Sequence, residues 1–201
     1  GGGAMHLNDS FGRNDKLRKV YNHHEQASAM AADSYARISQ QVPIVNVTTG
    51  PGGINTLNGV FGAWVDSLPM FVVSGQVKFE TCLASTDLPL RQLGDQECDI
   101  LSMVKGFTKY SVMVTEASDI KYHLQKALHL ARSGRPGPVW LDIPMNIQGA
   151  YIDTAKLKEY ELTNDATVKL AGVAKNIVSQ VAAKLSQAKR PVIMVGAGVR
   201  L

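Results

Sequence analysis

The sequence predicts an α/β fold, a parallel sheet flanked by helices, followed by the start of a second α/β domain. Three observations carry this expectation. Short unbroken apolar runs at residues 43–47, 70–74 and 138–143 read as strands buried on both faces. Longer stretches between them read as helices, so strand and helix alternate as they do around a parallel sheet. Hydrophobic residues make up 45% of the 201-residue chain, enough to fill a core rather than leave the chain disordered.

The elements follow in order. The opening Gly-Gly-Gly-Ala has two readings, a native turn or a cloning remnant. Asn14-Asp15 is turn chemistry, and residues 17–22 read as a strand. Residues 22–37 read as a helix without Gly or Pro, with Ala29, Ala32 and Ala36 on one closely packing face and Glu25 at its first turn. The strand at 43–47 runs into Thr48-Thr49-Gly50-Pro51-Gly52-Gly53. Residues 54–66 read as a helix with Leu57, Phe61 and Trp64 on one face, and Ser67-Leu68-Pro69 ends it. Gly75 closes the strand at 70–74. Residues 76–96 form a long aperiodic stretch, the kind of loop that often carries function. Residues 99–104 read as helical and 107–114 as a strand. The next helix runs from about 115 to 132, with Thr115 or Ser118 as cap. Its apolar stripe is Ile120, Leu124, Leu128 and Ala131, and Ser133-Gly134 stops it. Residues 149–165 read as a linker. Residues 166–201 follow as an amphipathic helix to 188, a strand at 191–196 and a turn at Gly196-Ala197-Gly198. No internal repeat or low-complexity tract is present.

Charge and cysteine usage narrow the function classes. Residues 1–150 hold 13 basic and 13 acidic side chains, whereas residues 151–201 hold 8 and 4, which supplies the whole +4 excess. That excess reads as a solvated helix face, without the aromatic-interleaved basic patch of a nucleic-acid binder. No apolar run reaches the ~18 residues of a membrane span, and no secretory signal is visible. Cys82 and Cys98 lack zinc spacing and do not make a disulfide framework, so a reducing, cytoplasmic setting is expected.

Several segments, in order, resemble one family. They are His24-Glu25-Gln26, Ser34-Tyr35-Ala36-Arg37, Thr48-Thr49-Gly50-Pro51-Gly52-Gly53 with Asn55, Gly75-Gln76-Val77, Gln96-Glu97 with Asp99, Phe107-Thr108-Lys109, and Ser133-Gly134-Arg135-Pro136-Gly137-Pro138. The set resembles the pyrimidine-binding (Pyr) domain of thiamine-diphosphate enzymes in the acetolactate synthase branch. The resemblance covers residues 1–148 and places the start of a central domain at 166–201. It implies that the first strand of the Pyr domain is missing from this chain.

The resemblance assigns roles residue by residue. Glu25 would bond a nitrogen of the cofactor's aminopyrimidine ring, a task for a carboxyl able to share a proton with it. The bland alternative is a helix-start acid favoured by the dipole. Gly2, Thr49, Gly50, Pro51 and Gly52 would let a flat ring approach the backbone closely. A phosphate cradle is the rival reading of that turn, but the turn lacks the Lys-Ser/Thr of a P-loop. Asn55 either lines the ring pocket or caps its helix. Gln96, or Gln92 four residues earlier, would face the reacting carbons and donate to a developing alkoxide. Lys109 would meet an anionic substrate or simply decorate a strand. Arg135 matches an Arg that touches FAD in that branch, so FAD in the whole protein is a further implication. His24 reads as packing at the helix start rather than as a proton relay.

No His-His pair occurs between Gln76 and Gly106, which favours a carboligase or lyase over a simple thiamine-diphosphate decarboxylase. The implied activity forms or breaks C–C bonds next to the carbonyl of 2-keto acids. The family's Gly-Asp-Gly…Asn motif has no counterpart here, so the Mg²⁺ ligands are expected outside this chain and this stretch alone is expected to be inactive. The implied partner is the diphosphate-binding domain of another subunit, in a homodimer or homotetramer. Two rival readings stand beside this one. One is a non-catalytic cofactor-sensing or scaffolding domain; the other is a nucleotide-binding enzyme built on Gly196-Ala197-Gly198.

Overall fold

The computed structural model describes residues 1–161 and 172–200. The chain divides into two compact units, Gly1–Leu162 and Thr163–Leu201. The first holds a four-stranded, wholly parallel sheet in the order β1 (Ile44–Val47), β2 (Met70–Gln76), β4 (Pro138–Pro144), β3 (Tyr110–Met113). The α/β expectation is met. Both central strands are buried along their whole length, which is why they read as continuous apolar runs.

Alternation along β2 divides the core into two layers. Met70 and Val72 face one layer with Val45, Val47, Val60, Ala63, Ile100, Val104 and Trp140. Helices α2 (Glu25–Ser39), α4 (Leu57–Val65) and α5 (Ile100–Val104) supply that side. Phe71 and Val73 face the other layer with Val114, Ala127, Ala131, Val139, Leu141 and Ile143, beneath α6 (Ile120–Arg132). Helices α1 (Met5–Arg13) and α7 (Met145–Gln148) contribute Leu7 and Ile147 at its margin.

Ala29, Ala32 and Ala36 are buried as their spacing predicts, and Gly59 of α4 packs on them so closely that a Cβ there would lie 2.6 Å from the Ala29 Cβ. This contact corrects the reading of α4. The side buried is Gly59, Val60 and Ala63, while Phe61 is 53% exposed. Close approach of two backbones selects small residues, and the large ones are displaced to the rim. The expected helix at 54–66 is in fact two helices, α3 (Pro51–Asn55) and α4. Pro51 starts the first, as proline suits the initial helical position. The buried Thr56 hydroxyl donates to the Gly53 carbonyl at 2.6 Å and marks the break.

Other expectations change at their ends or fail. Residues 17–22 form no strand. β1 pairs only with β2 among the described residues, so no neighbour satisfies the ladder groups of a further strand, and Val20 and Tyr21 stay exposed. Neither Thr115 nor Ser118 caps α6, which is preceded by a 3-10 turn at Ala117–Asp119. His24 caps α2, its Nδ1 accepting from the Gln26 N–H at 3.1 Å. Beyond α7, Tyr160 is fastened to α6. Its N–H donates to Gln125 Oε1 at 2.8 Å, and its ring meets Tyr122 edge-on.

In the second unit, α8 (Lys175–Gln187) covers the end of the helix predicted for 166–188; residues 166–171 lie outside the described residues. Residues 191–196 form no strand, because an isolated segment leaves its backbone groups unpaired and its apolar side chains exposed. Gly196-Ala197-Gly198 runs into a 3-10 turn at Ala197–Arg200. Among the described residues no helix is long and apolar enough to cross a membrane.

Candidate functional site

In a parallel sheet the carboxyl ends of the strands gather loops and helix starts at one edge. Here β1 runs out into Thr48–Gly50, and β2 ends at Gln76. Helix α2 packs against β1 and starts with Glu25, which meets the turn that follows β1. Glu25 Oε2 accepts from Asn55 Nδ2 at 3.1 Å. Its Oε1 lies 3.6 Å from where a Cβ on Gly52 would stand. Asn55 therefore does not cap a helix. It holds one oxygen of Glu25 and leaves the other facing the glycine turn.

Two glycines of this edge answer a steric need. Gly50 has φ +56, in the left-handed region, and a Cβ there would stand 2.1 Å from the Gln96 carbonyl oxygen. A Cβ on Gly75 would stand 1.9 Å from the Gly3 carbonyl oxygen. The opening glycines are therefore part of the packed edge, docked over β1 and β2 and tied by Gln148 Nε2 to the Gly3 carbonyl at 2.6 Å. Beside them the Thr48 hydroxyl is buried without a partner among the described residues.

The loop after β2 is ordered by a residue whose part sequence reasoning missed. Glu97 accepts from the backbone N–H of Leu83, of Leu93 at 3.2 Å and of Gly94 at 3.1 Å. A carboxylate taking three backbone donors fixes a long loop strongly. Its signal in the sequence was its place in the Gln96-Glu97 segment with Asp99, which carried no hint of this part. With the loop held this way, Gln96 adopts a φ of +55 and its backbone lies on Gly50. Gln92 instead donates to the Gly94 carbonyl at 2.7 Å.

A second missed feature lies beneath the glycine turn. Asp142, Ser74 and Gln76 are each 1% exposed and are bonded together. Ser74 Oγ donates to Asp142 Oδ1 at 2.6 Å, Gln76 Nε2 donates to Oδ2 at 3.0 Å, and Trp140 Nε1 donates to Ser74 Oγ at 2.8 Å. The Thr49 hydroxyl donates to Gln76 Oε1. Burial pushes the Asp142 carboxyl up to about 7 against the pull of its two donors. Burial also lifts the free Cys82 thiol to about 12, so it is not a poised nucleophile.

Gly2, Glu25, Thr49, Gly50, Pro51, Gly52, Asn55 and Gln96 thus gather at the carboxyl edge. Lys109 and Arg135 do not. The Lys109 N–H donates at 2.8 Å to the carbonyl of Pro138, which opens β4, and Lys109 Nζ donates to the Ser133 carbonyl while burial lowers its pKa. Arg135 Nε donates to Ser67 Oγ at 2.6 Å, just ahead of β2. Both lie at the amino edge of the sheet, away from the Glu25 cluster. Among the described residues no three His, Cys, Asp or Glu side chains converge as a metal site.

The family model for the thiamine pyrophosphate enzyme N-terminal TPP-binding domain matches residues 1–103. The chain is 35% identical over 199 residues to the acetolactate synthase large subunit of Corynebacterium glutamicum, covering 99% of this chain and 30% of that protein. It is 34% identical over 205 residues to the acetolactate synthase isozyme 3 large subunit of Escherichia coli, covering 98% and 33%. It is 32% identical over 204 residues to the mitochondrial acetolactate synthase catalytic subunit of Saccharomyces cerevisiae, covering 99% and 28%. The chain therefore spans about a third of the length of these relatives.

Proposed function

The chain belongs to the thiamine pyrophosphate enzymes, with an acetolactate synthase-like N-terminal TPP-binding domain, and on that premise we propose that its Glu25 cluster receives the aminopyrimidine ring of thiamine diphosphate. The observation that carries the reading is the Glu25 carboxylate itself. One oxygen is held by Asn55 and the other faces the glycine turn, 3.6 Å from where a Cβ on Gly52 would stand. A flat ring can lie against such a backbone, and the free oxygen is placed to share a proton with a ring nitrogen. The orphaned Thr48 hydroxyl supports a polar ligand at this position.

When bound, the cofactor supplies a carbon nucleophile for chemistry at a 2-keto-acid carbonyl. The chain's own residues do the rest of the local work in this reading. Glu25 holds or moves the ring proton, and Asn55 orients Glu25. Gly2, Thr49, Gly50, Pro51 and Gly52 shape the ring's bed. Gln96, whose backbone carbonyl lies on Gly50, is the one assigned to the reacting carbons in preference to Gln92, whose amide donates to the Gly94 carbonyl. Lys109 and Arg135 take no part in the ring site; a contact of Arg135 with FAD would belong to the opposite edge.

For the whole protein the reading is a carboligase or lyase of the transferase type, forming or breaking C–C bonds in 2-keto acids. It would act as a homodimer or homotetramer in which a diphosphate-binding domain of a partner subunit holds the diphosphate and its Mg²⁺. Two free thiols agree with a reducing compartment such as the cytoplasm. The test is Glu25→Gln in the full-length protein. Proton exchange at the cofactor's reactive carbon should slow ~10²–10⁴-fold, the usual contribution of one positioned acid–base group, with the fold retained. Unchanged exchange with cofactor still bound would remove Glu25 from this role.

A further inference from the structure

We propose that Gln76 is the positioning residue of the glycine turn, holding Thr49 and through it Gly50 and Gly52 at a fixed place opposite Glu25, with Asp142 as its anchor. The proposal rests on the Glu25 cluster being the ring site and adds a group that does not itself touch the ring.

The Gln76 amide has all its hydrogen-bonding capacity in use. Nε2 donates to Asp142 Oδ2 at 3.0 Å and to the Cys98 carbonyl at 3.2 Å. Oε1 accepts from the Val77 N–H at 3.1 Å and from the Thr49 hydroxyl. An amide bears two donor hydrogens and an oxygen with two lone pairs, so this one is saturated and cannot turn over without breaking four bonds. Its direction follows from its neighbours. Asp142 Oδ2 and the Cys98 carbonyl accept, and the Val77 N–H can only donate. Thr49 is left with one choice, to point its hydroxyl hydrogen inward at Gln76. The side chain that begins the turn is thereby pinned to the middle of the sheet.

The cost of this device shows in Asp142. It is 1% exposed and has no cationic partner among the described residues. Glu97 and Asp99 nearby add further negative charge, and Cys82 and Cys98 are the other titratable groups beside it. An isolated buried acid is expensive for packing alone, where an apolar residue would serve better. A carboxyl is useful when two neighbours must both be made to donate, and here Ser74 and Gln76 both do so. Trp140 Nε1, donating to Ser74 Oγ at 2.8 Å, closes the far end of the chain of bonds. The glycine turn has little stiffness of its own, since Gly50, Gly52 and Gly53 add no side-chain packing, so its shape must be imposed from beneath.

The experiment is a double-mutant cycle in the full-length protein, reading thiamine diphosphate affinity in Mg²⁺, with unfolding midpoints measured alongside. Thr49→Val and Asp142→Asn should each weaken affinity roughly fivefold, the scale of one net hydrogen bond. The double variant should be no weaker than the worse single, because both cut one line of contact. Thr49→Ser, which keeps the hydroxyl, should restore affinity. Multiplying effects, no effect from either single change, or loss of affinity in Thr49→Ser equal to that in Thr49→Val would overturn the proposal. If Asp142→Asn does not fold, Gln76→Met replaces it in the same cycle with the same expectations. Glu25→Gln separates the two levels. Normal proton exchange in that variant defeats the ring-site reading, whereas slowed exchange together with multiplying effects in the cycle defeats the Gln76 proposal alone.

Discussion

Asp142 makes one residue's ionisation a measurable property of the fold. Its carboxyl is pushed by burial from 3.8 up to about 7, with Ser74 and Gln76 pulling it down and Asp99 and Glu97 adding to the rise. The folded state therefore holds a proton that the unfolded chain has released. The stabilising share of this group is complete below about pH 4 and is lost as pH climbs through about 7. Urea midpoints for the natural protein should fall across that window relative to Asp142→Asn, which has no carboxyl to titrate there. A constant difference from pH 4 to 8 would mean that Asp142 is ionised throughout. Glu25 is oriented by Asn55, which holds one of its oxygens beside the glycine turn.

At the scale of elements, the site depends on two close approaches. Helix α4 reaches α2 only because Gly59 has no side chain, and that contact keeps the start of α2 beside α3. The turn after β1 meets the 77–99 loop only because Gly50 has none. Gly50→Ala puts a Cβ into the Gln96 carbonyl and also carries the left-handed strain of about 1–2 kcal/mol. It should destabilise the unit by at least that much and lower cofactor affinity more than Gly12→Ala, whose Cβ would meet open space. Chemical denaturation and calorimetry on the two variants give the comparison, and equal effects would show that the loop yields freely. Glu97 sets how far it can yield, since its three backbone bonds are what hold Gln96 against the turn.

For the molecule as a whole, the ring site and the diphosphate site differ in what they need. A diphosphate with Mg²⁺ calls for hard oxygen ligands. At the Glu25 edge the Glu25 carboxylate is bonded to Asn55 and proposed for the ring, while Asp142 is sealed beneath it. The 201-residue chain by itself should therefore bind thiamine diphosphate weakly and without Mg²⁺ dependence, and should be catalytically silent. Adding a diphosphate-binding region, in the same chain or in trans, should bring Mg²⁺-dependent binding. Titration calorimetry decides this, and tight Mg²⁺-dependent binding by the chain alone would contradict it.

Local composition determined much of this protein. Unbroken apolar runs fixed β2 and β4, because strands buried on both faces have no polar side to show, whereas β1, expected to be the same, is an edge strand with Ile44 48% exposed. Alanine spacing fixed the inner face of α2, and the ordered motifs pointed to Glu25 and the Thr49–Gly52 turn. Tertiary structure decided what depends on a neighbour distant in sequence. Residues 17–22 have strand composition but no pairing partner, and α4 turned its small side inward because α2 lay close. That the Gln96 backbone lies on Gly50 while Gln92 turns to the Gly94 carbonyl came only with the loop that Glu97 holds. Lys109 and Arg135 sit in motifs as distinct as the others, yet a motif carries no record of which end of a strand it occupies, and theirs is the amino end. The Thr49–Gln76–Asp142 line was invisible for the same reason. Its members lie in three separate strands or turns, and only parallel pairing of β2 with β4, which sets Ser74 opposite Asp142, brings their polar groups within bonding distance.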